Sequence, residues 1–166
     1  SQANVTTLLF TAYNSQEATL IASGVRKLKA TSTLSQDFEP EYITISADSQ
    51  KAWVTLQENN AVIEINLATT TFTDIWALGT KDVSLPGNGM DISDNNGQVL
   101  IANWPIQAFY MPDAVANYTI GGTTYIVTAN EGDEKEYTGF VERTTVGAAA
   151  YTLDPAIYPN ASVLKQ

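Results

Sequence analysis

An all-β chain, a β-propeller segment of two to three four-stranded antiparallel blades with a long inserted loop, is what this sequence predicts. Three observations lead there. Runs of β-branched and aromatic residues alternate with polar ones at a period of two, and short polar turns separate the runs. The chain also repeats itself: "PEYITIS" at 40 returns as "PDAVANYTI" at 112, and "WVTLQEN" at 53 returns as "IVTANEG" at 126, offsets of 72 and 73 residues.

Taken in order, residues 1–36 read as a partial blade with one helix candidate, "SQEATLIASGVRKLKA" at 15–30, which Ser15 could cap and Gly24 interrupts. Residues 37–79 form the first blade, with strands at 42–46, 52–57, 61–67 and 71–78. The turns "ADSQ" (47–50), "ENN" (58–60) and "ATT" (68–70) join them. A blade of about 40–45 residues fits that span. Residues 80–111 are the inserted loop, with a strand-like run at 98–102 after the turn "DNNG". Residues 112–166 open the next blade with strands at 114–120 and 123–129 around "IGG", then run on as a loop.

Composition narrows the chemistry. The net charge is −10, and residues 37–154 hold 17 of the 18 carboxylates but four of the eight bases. Nucleic acid is therefore not an expected partner, because backbone binding needs a basic face. Cysteine and histidine are absent, which rules out disulfides, thiolate metal sites and Ser-His-Asp catalysis within this chain. A metal would be held by oxygen, so calcium or magnesium, rather than zinc, is the expected ion, with calcium foremost for the loop sites. No run of 18 apolar residues exists, and the N-terminus shows neither an initiator Met nor a signal-peptide pattern; a processed chain, or a piece of one, is expected.

Candidate metal ligands lie in three places. "GNGMDISDNNG" (87–97) offers Asp91, Asp94 and Asn96 between glycines, without matching the EF-hand pattern. "NEGDEKEY" (130–137) offers Glu131 and Asp133, with Glu134 and Glu136 read as a solvated continuation. The tip "QENN" (57–60) offers Glu58. If it holds the same place as "NEGD", Glu58 and Glu131 share one rim of the propeller, where the 87–97 loop could fold back with Asp91 and Asp94. Such acids repel unless a cation neutralises them. Polar turns that favour Asn and Gly explain the same residues without a ligand. Trp53 and Trp76 read as packing residues, while Asn103 and Trp104 of "NWP" belong to the insertion, which is expected to pack over the propeller face or into a neighbour. Asn4, Asn117 and Asn160 stand in glycosylation sequons.

The stretches "EPEYITIS", "AWVTLQENNAVIEINL", "LGTKD", "LPGNGMDISD", "NWPIQAFYMPDA", "VTANEGD" and "LDPAIYPN", in that order from about Asp37 onward, resemble the choice-of-anchor I family. Its members are secreted or surface β-propeller proteins, including cell-surface glycoproteins and bacterial proteins labelled atypical alkaline phosphatases. The resemblance implies an internal segment of a longer propeller; because two or three blades leave open edge strands, another chain or fragment is expected to supply the remaining blades. It implies an extracellular, cell-surface or periplasmic location and a role in binding or cell-surface interaction. A metal-dependent phosphoester hydrolase, with carboxylate-held ions activating water, is the alternative. Asn96 stands where the family tends to carry Asp, and Lys135 where it tends to carry Arg.

Overall fold

The computed structural model describes residues 5–93 and 96–165. The chain is mostly β and divides into two compact units, Ser1–Asp133 and Glu134–Gln166.

In the first unit, β1 (Pro40–Ile45), β2 (Lys51–Leu56), β3 (Ala61–Asn66) and β4 (Thr71–Ala77) form one antiparallel meander in sequence order. The alternating pattern dictates this sheet, because one register lines up an aliphatic set from three strands on a common face. Val54 and Leu56 oppose Ile63 and Ala61, which oppose Ile75 and Ala77. Each of its turns puts a non-glycine residue at positive φ, Ser49 at 58°, Asn60 at 53° and Thr70 at 51°. Asn tolerates that conformation best.

A helical layer covers this first face. A 3-10 helix (Phe10–Gln16) runs into α1 (Glu17–Ser23), and α2 (Leu34–Asp37) follows. Tyr13, Leu20, Val25, Leu34 and Phe38 pack on Val54, Leu56 and Ile63, with Phe10 stacked on Phe72 at 4.8 Å. Leu34, Leu56 and Ile63 are wholly buried, each stabilising the fold by about 1.5–3 kcal/mol. The helix is shorter than the 15–30 expected. Gly24 adopts φ 104° and its N–H caps the carbonyls of Leu20 and Ile21, while Ser15 bonds the Ala12 carbonyl and caps nothing. The described residues ahead of β1 hold helices and no strand.

The opposite face carries Trp53, Thr55, Val62 and Glu64, and it receives a second sheet, the hairpin of β7 (Pro112–Ile120) and β8 (Thr123–Asn130). Thr55 Oγ1 donates to the Asp113 carbonyl at 3.1 Å. The Asn117 amide donates to Thr44 Oγ1 at 2.7 Å and to the Ile45 carbonyl at 2.9 Å, so the side chain of this sequon is engaged within the fold. The second copy of the repeat thus gives a sheet of two strands where the first gives four.

The excursion between the sheets is closed at its base by β5 (Thr80–Asp82) pairing with β6 (Gln107–Phe109). The run at 98–102 is not a strand: Val99 and Ile101 are exposed, and a single bridge joins Ala102 to Met90. Asn103 and Trp104 pin the loop through the Val83, Leu85 and Met90 carbonyls.

The second unit holds β9 (Glu136–Tyr137) paired with β10 (Phe140–Val141), then α3 (Ala161–Leu164). Arg143 is ion-paired to Glu134.

Candidate functional site

The tip joining β2 to β3 reads as a solvent turn, yet its four polar residues are buried: Gln57 is 3% exposed, Glu58 7%, and Asn59 and Asn60 0%. Buried polar groups must find partners, and these find them far along the chain. Asn59 Nδ2 donates to the Arg26 carbonyl at 2.9 Å and to Asp37 Oδ2 at 3.1 Å, and its Oδ1 accepts from the Glu39 N–H at 3.2 Å. Asp37 is itself buried and accepts from the Leu28 and Lys29 N–H groups, which closes the loop between α1 and α2.

Asn60 ties down the other side. Its Nδ2 donates to the Gly79 carbonyl at 2.8 Å, and its Oδ1 accepts from the Tyr110 and Met111 N–H groups, both at 3.0 Å. Met111 has φ 49° directly before Pro112, a conformation that costs about 1–3 kcal/mol unless its surroundings impose it. The Asn60 bonds and burial of the Met111 side chain impose it. Gln57 Nε2 reaches the Glu131 carbonyl at 3.3 Å, and Arg26 Nη1 donates to the Glu58 carbonyl at 2.8 Å. One four-residue turn therefore joins α1's exit, β1's entry, the end of β4, the start of β7 and the end of β8.

Acidic side chains surround this hub. Burial pushes the Glu58 carboxyl up, and the nearby Glu39 and Glu41 push it further; its Oε2 is buried with no hydrogen-bond partner among the described residues. Burial likewise raises Glu41, reinforced by Asp113, Asp133 and Glu39. Arg26 is the nearby cation. Burial lowers it, opposed by Asp37 and Glu58.

Of the residues singled out from the sequence, Glu58 lies in this hub and Asp133 close enough to act on Glu41. Glu131 is exposed, so it does not share the environment of Glu58, and it contributes backbone to the hub: its N–H donates to the Met111 carbonyl. Pro40 opposes Leu56 whereas Pro112 opposes Asn130, which puts the two copies one residue out of step at their tips. Asp91 and Asn96 are exposed and shape their own loop, Asp91 accepting from the Ser93 and Leu100 N–H groups and Asn96 from that of Gln98. Asp94 lies outside the described residues. Among the described residues, no group of three or more Asp, Glu, His or Cys is placed to hold a metal ion.

Sequence reasoning missed Glu39, Glu41 and Asp113. The signal was present in the repeat, since both copies open on Pro followed by an acid, Pro40-Glu41 and Pro112-Asp113.

A meander sheet layered on both faces, organised around a buried polar hub, defines a β module built for rigidity. Residues 1–166 match the family model of the choice-of-anchor I domain, and the chain belongs to that family. Membership marks it as an extracellular or cell-surface module. No curated protein and no solved structure matches the chain significantly. Among the described residues, no helix is long and apolar enough to cross a membrane.

Proposed function

We propose that the chain is a segment of a secreted or surface-displayed β-propeller that serves as a binding module, with its remaining blades supplied by another chain or fragment. The observation that carries this reading is the stacking of β7 on the second face of the four-stranded sheet through Thr55, Asp113, Thr44 and Asn117. Two repeats that open on Pro-acid start side by side there, as successive blades do. The hub supports the same reading, because its polar groups other than the Glu58 carboxyl are consumed in holding five segments together. Calcium is the ion this acidic surface would take, weakly, at Asp91 and Asn96 or at Glu131 and Asp133, in the roughly millimolar class of extracellular modules.

One preparation tests both points. Purified protein is given an aryl phosphate with calcium or magnesium, then with chelator, and its melting is followed in parallel. A binding module produces no turnover above buffer and melts slightly higher with calcium. Chelator-sensitive turnover would instead establish the hydrolase alternative, which needs two ions about 4 Å apart.

A further inference from the structure

The far end of β2 opens onto a cleft of about 380 Å³ between the four-stranded sheet and the β7–β8 hairpin. That is the small end of the range for small-molecule sites. Lys51, Trp53, Glu64 and Trp76 line it from the sheet, Asp48 and Gln50 from the β1–β2 turn, and Thr124 and Ile126 from β8.

The wall is rigid, and the rim is exposed to solvent, with Gln50 Nε2 on the Asp48 carbonyl at 3.3 Å. Trp53 is 4% exposed, with its Nε1 donating to Glu64 Oε2 at 3.0 Å. Glu64 also accepts from Lys51 Nζ and Thr73 Oγ1, each at 2.9 Å. Burial alone would raise its carboxyl, but the hydrogen bonds from Lys51 and Thr73 outweigh burial and hold it below the usual glutamate range. Trp76 is 40% exposed, an indole held open to solvent beside these fixed polar groups. Asp48 accepts from Ser46 Oγ and from the Gln50 N–H, which fixes the turn and leaves the Gln50 side chain at the exposed rim.

We propose that this cleft binds a neutral sugar ring, with one C–H face laid on Trp76 and its hydroxyls bonded to Asp48, Gln50 and Lys51. An aromatic face carries negative charge density and attracts the weakly positive C–H face of a pyranose. Hydroxyls need both donors and acceptors, and the rim supplies an amide, an ammonium and a carboxylate. An organic cation fits less well, because the Glu64 charge is already matched by Lys51. The larger cleft of the unit, about 660 Å³ between the 3-10 helix and β4, is lined mainly by apolar and Thr side chains with Gln16 and Asp74, and among the described residues it holds no ammonium group. It lacks this combination.

The inference rests on the binding-module reading and gives it a ligand class. Saturation-transfer NMR on the full chain is the test, with glucose, galactose, mannose and N-acetylglucosamine offered singly at tens of millimolar, and choline as the cationic comparison. The expected result is saturable transfer to the ring protons of at least one sugar. Trp76→Ala should weaken it about tenfold or more, the size expected when an anchoring aromatic is removed. Trp76→Phe should retain part of it, and melting of both variants close to that of the unaltered chain shows that the loss belongs to the cleft. Transfer to no sugar, transfer to choline alone, or equal transfer in Trp76→Ala would overturn the proposal. None of these results bears on phosphate turnover, so failure of the ligand class and failure of the module reading are separable.

Discussion

Strand β2 ends in two polar turns of similar composition and opposite fate. At one end Gln57, Glu58, Asn59 and Asn60 are buried and bonded to segments 19 to 74 residues away. At the other, Ala47 to Gln50 are exposed and bonded mainly to one another, beside an open tryptophan cleft. Hydrogen-bonding capacity committed to the fold is lost to ligands, and capacity left at a rigid rim is available to them. The second end is therefore where a ligand is expected, although the first holds the richer set of polar groups.

The largest expected effect lies at the buried end. Asn59→Ala leaves the Glu39 N–H and the Asp37 carboxylate short of partners in a water-free place, and each orphaned group costs about 1–3 kcal/mol. A total loss of about 3 kcal/mol is expected in urea denaturation. A loss under about 0.5 kcal/mol would mean that the hub is not what holds these segments.

Next comes pH. Glu58 is held above its ordinary value of 4.5 by burial and by Glu39 and Glu41, so the folded chain keeps its proton where the unfolded chain has lost it. Its contribution to stability is complete below the unfolded value and is lost as pH rises through the raised folded one. Glu58→Gln imitates the protonated acid and should flatten melting against pH across that window. Glu64, held low by Lys51 and Thr73, works in the opposite sense in both proteins, so the difference between them reports Glu58 together with the Glu39 and Glu41 carboxyls it faces. Parallel curves for the two proteins would contradict this assignment.

The smallest effect belongs to the exposed turn. Gln50→Ala should change stability by no more than about 0.5 kcal/mol in the same urea experiment. A loss matching that of Asn59→Ala would erase the contrast between the ends.

The sheet was legible because strand periodicity is local: strands β1 to β4 fall within a residue or two of the runs read from 42 to 78, and the hairpin at 112–130 likewise. The shortened helix was partly legible in Gly24, whose φ only a cap explains. What lay beyond reach was the burial of the tip. Nothing within Gln57-Glu58-Asn59-Asn60 separates a solvent turn from a hub, because the distinction is made by Asp37, Gly79, Tyr110 and Glu131, which the fold brings in. The cleft was hidden for the same reason. Trp53 and Trp76 read alike as packing residues, and only the placement of β8 leaves one in the wall and the other open. The run at 98–102 misled because β-propensity gives no strand without a partner edge.

The contrast between the two ends of β2 is tested most directly by native-state hydrogen exchange. The amides of Arg26, Glu39, Tyr110 and Met111 are donors into the tip, Arg26 to the Asn59 carbonyl and the others to the Asn59 and Asn60 side chains. They should exchange only through opening of most of the unit, while Ala47 and Asp48 exchange through local fluctuation. Protection of the four tip amides well above that of the turn is the expected result. Exchange of the tip amides as fast as those of the turn would show that its buried polar groups do not hold the fold together.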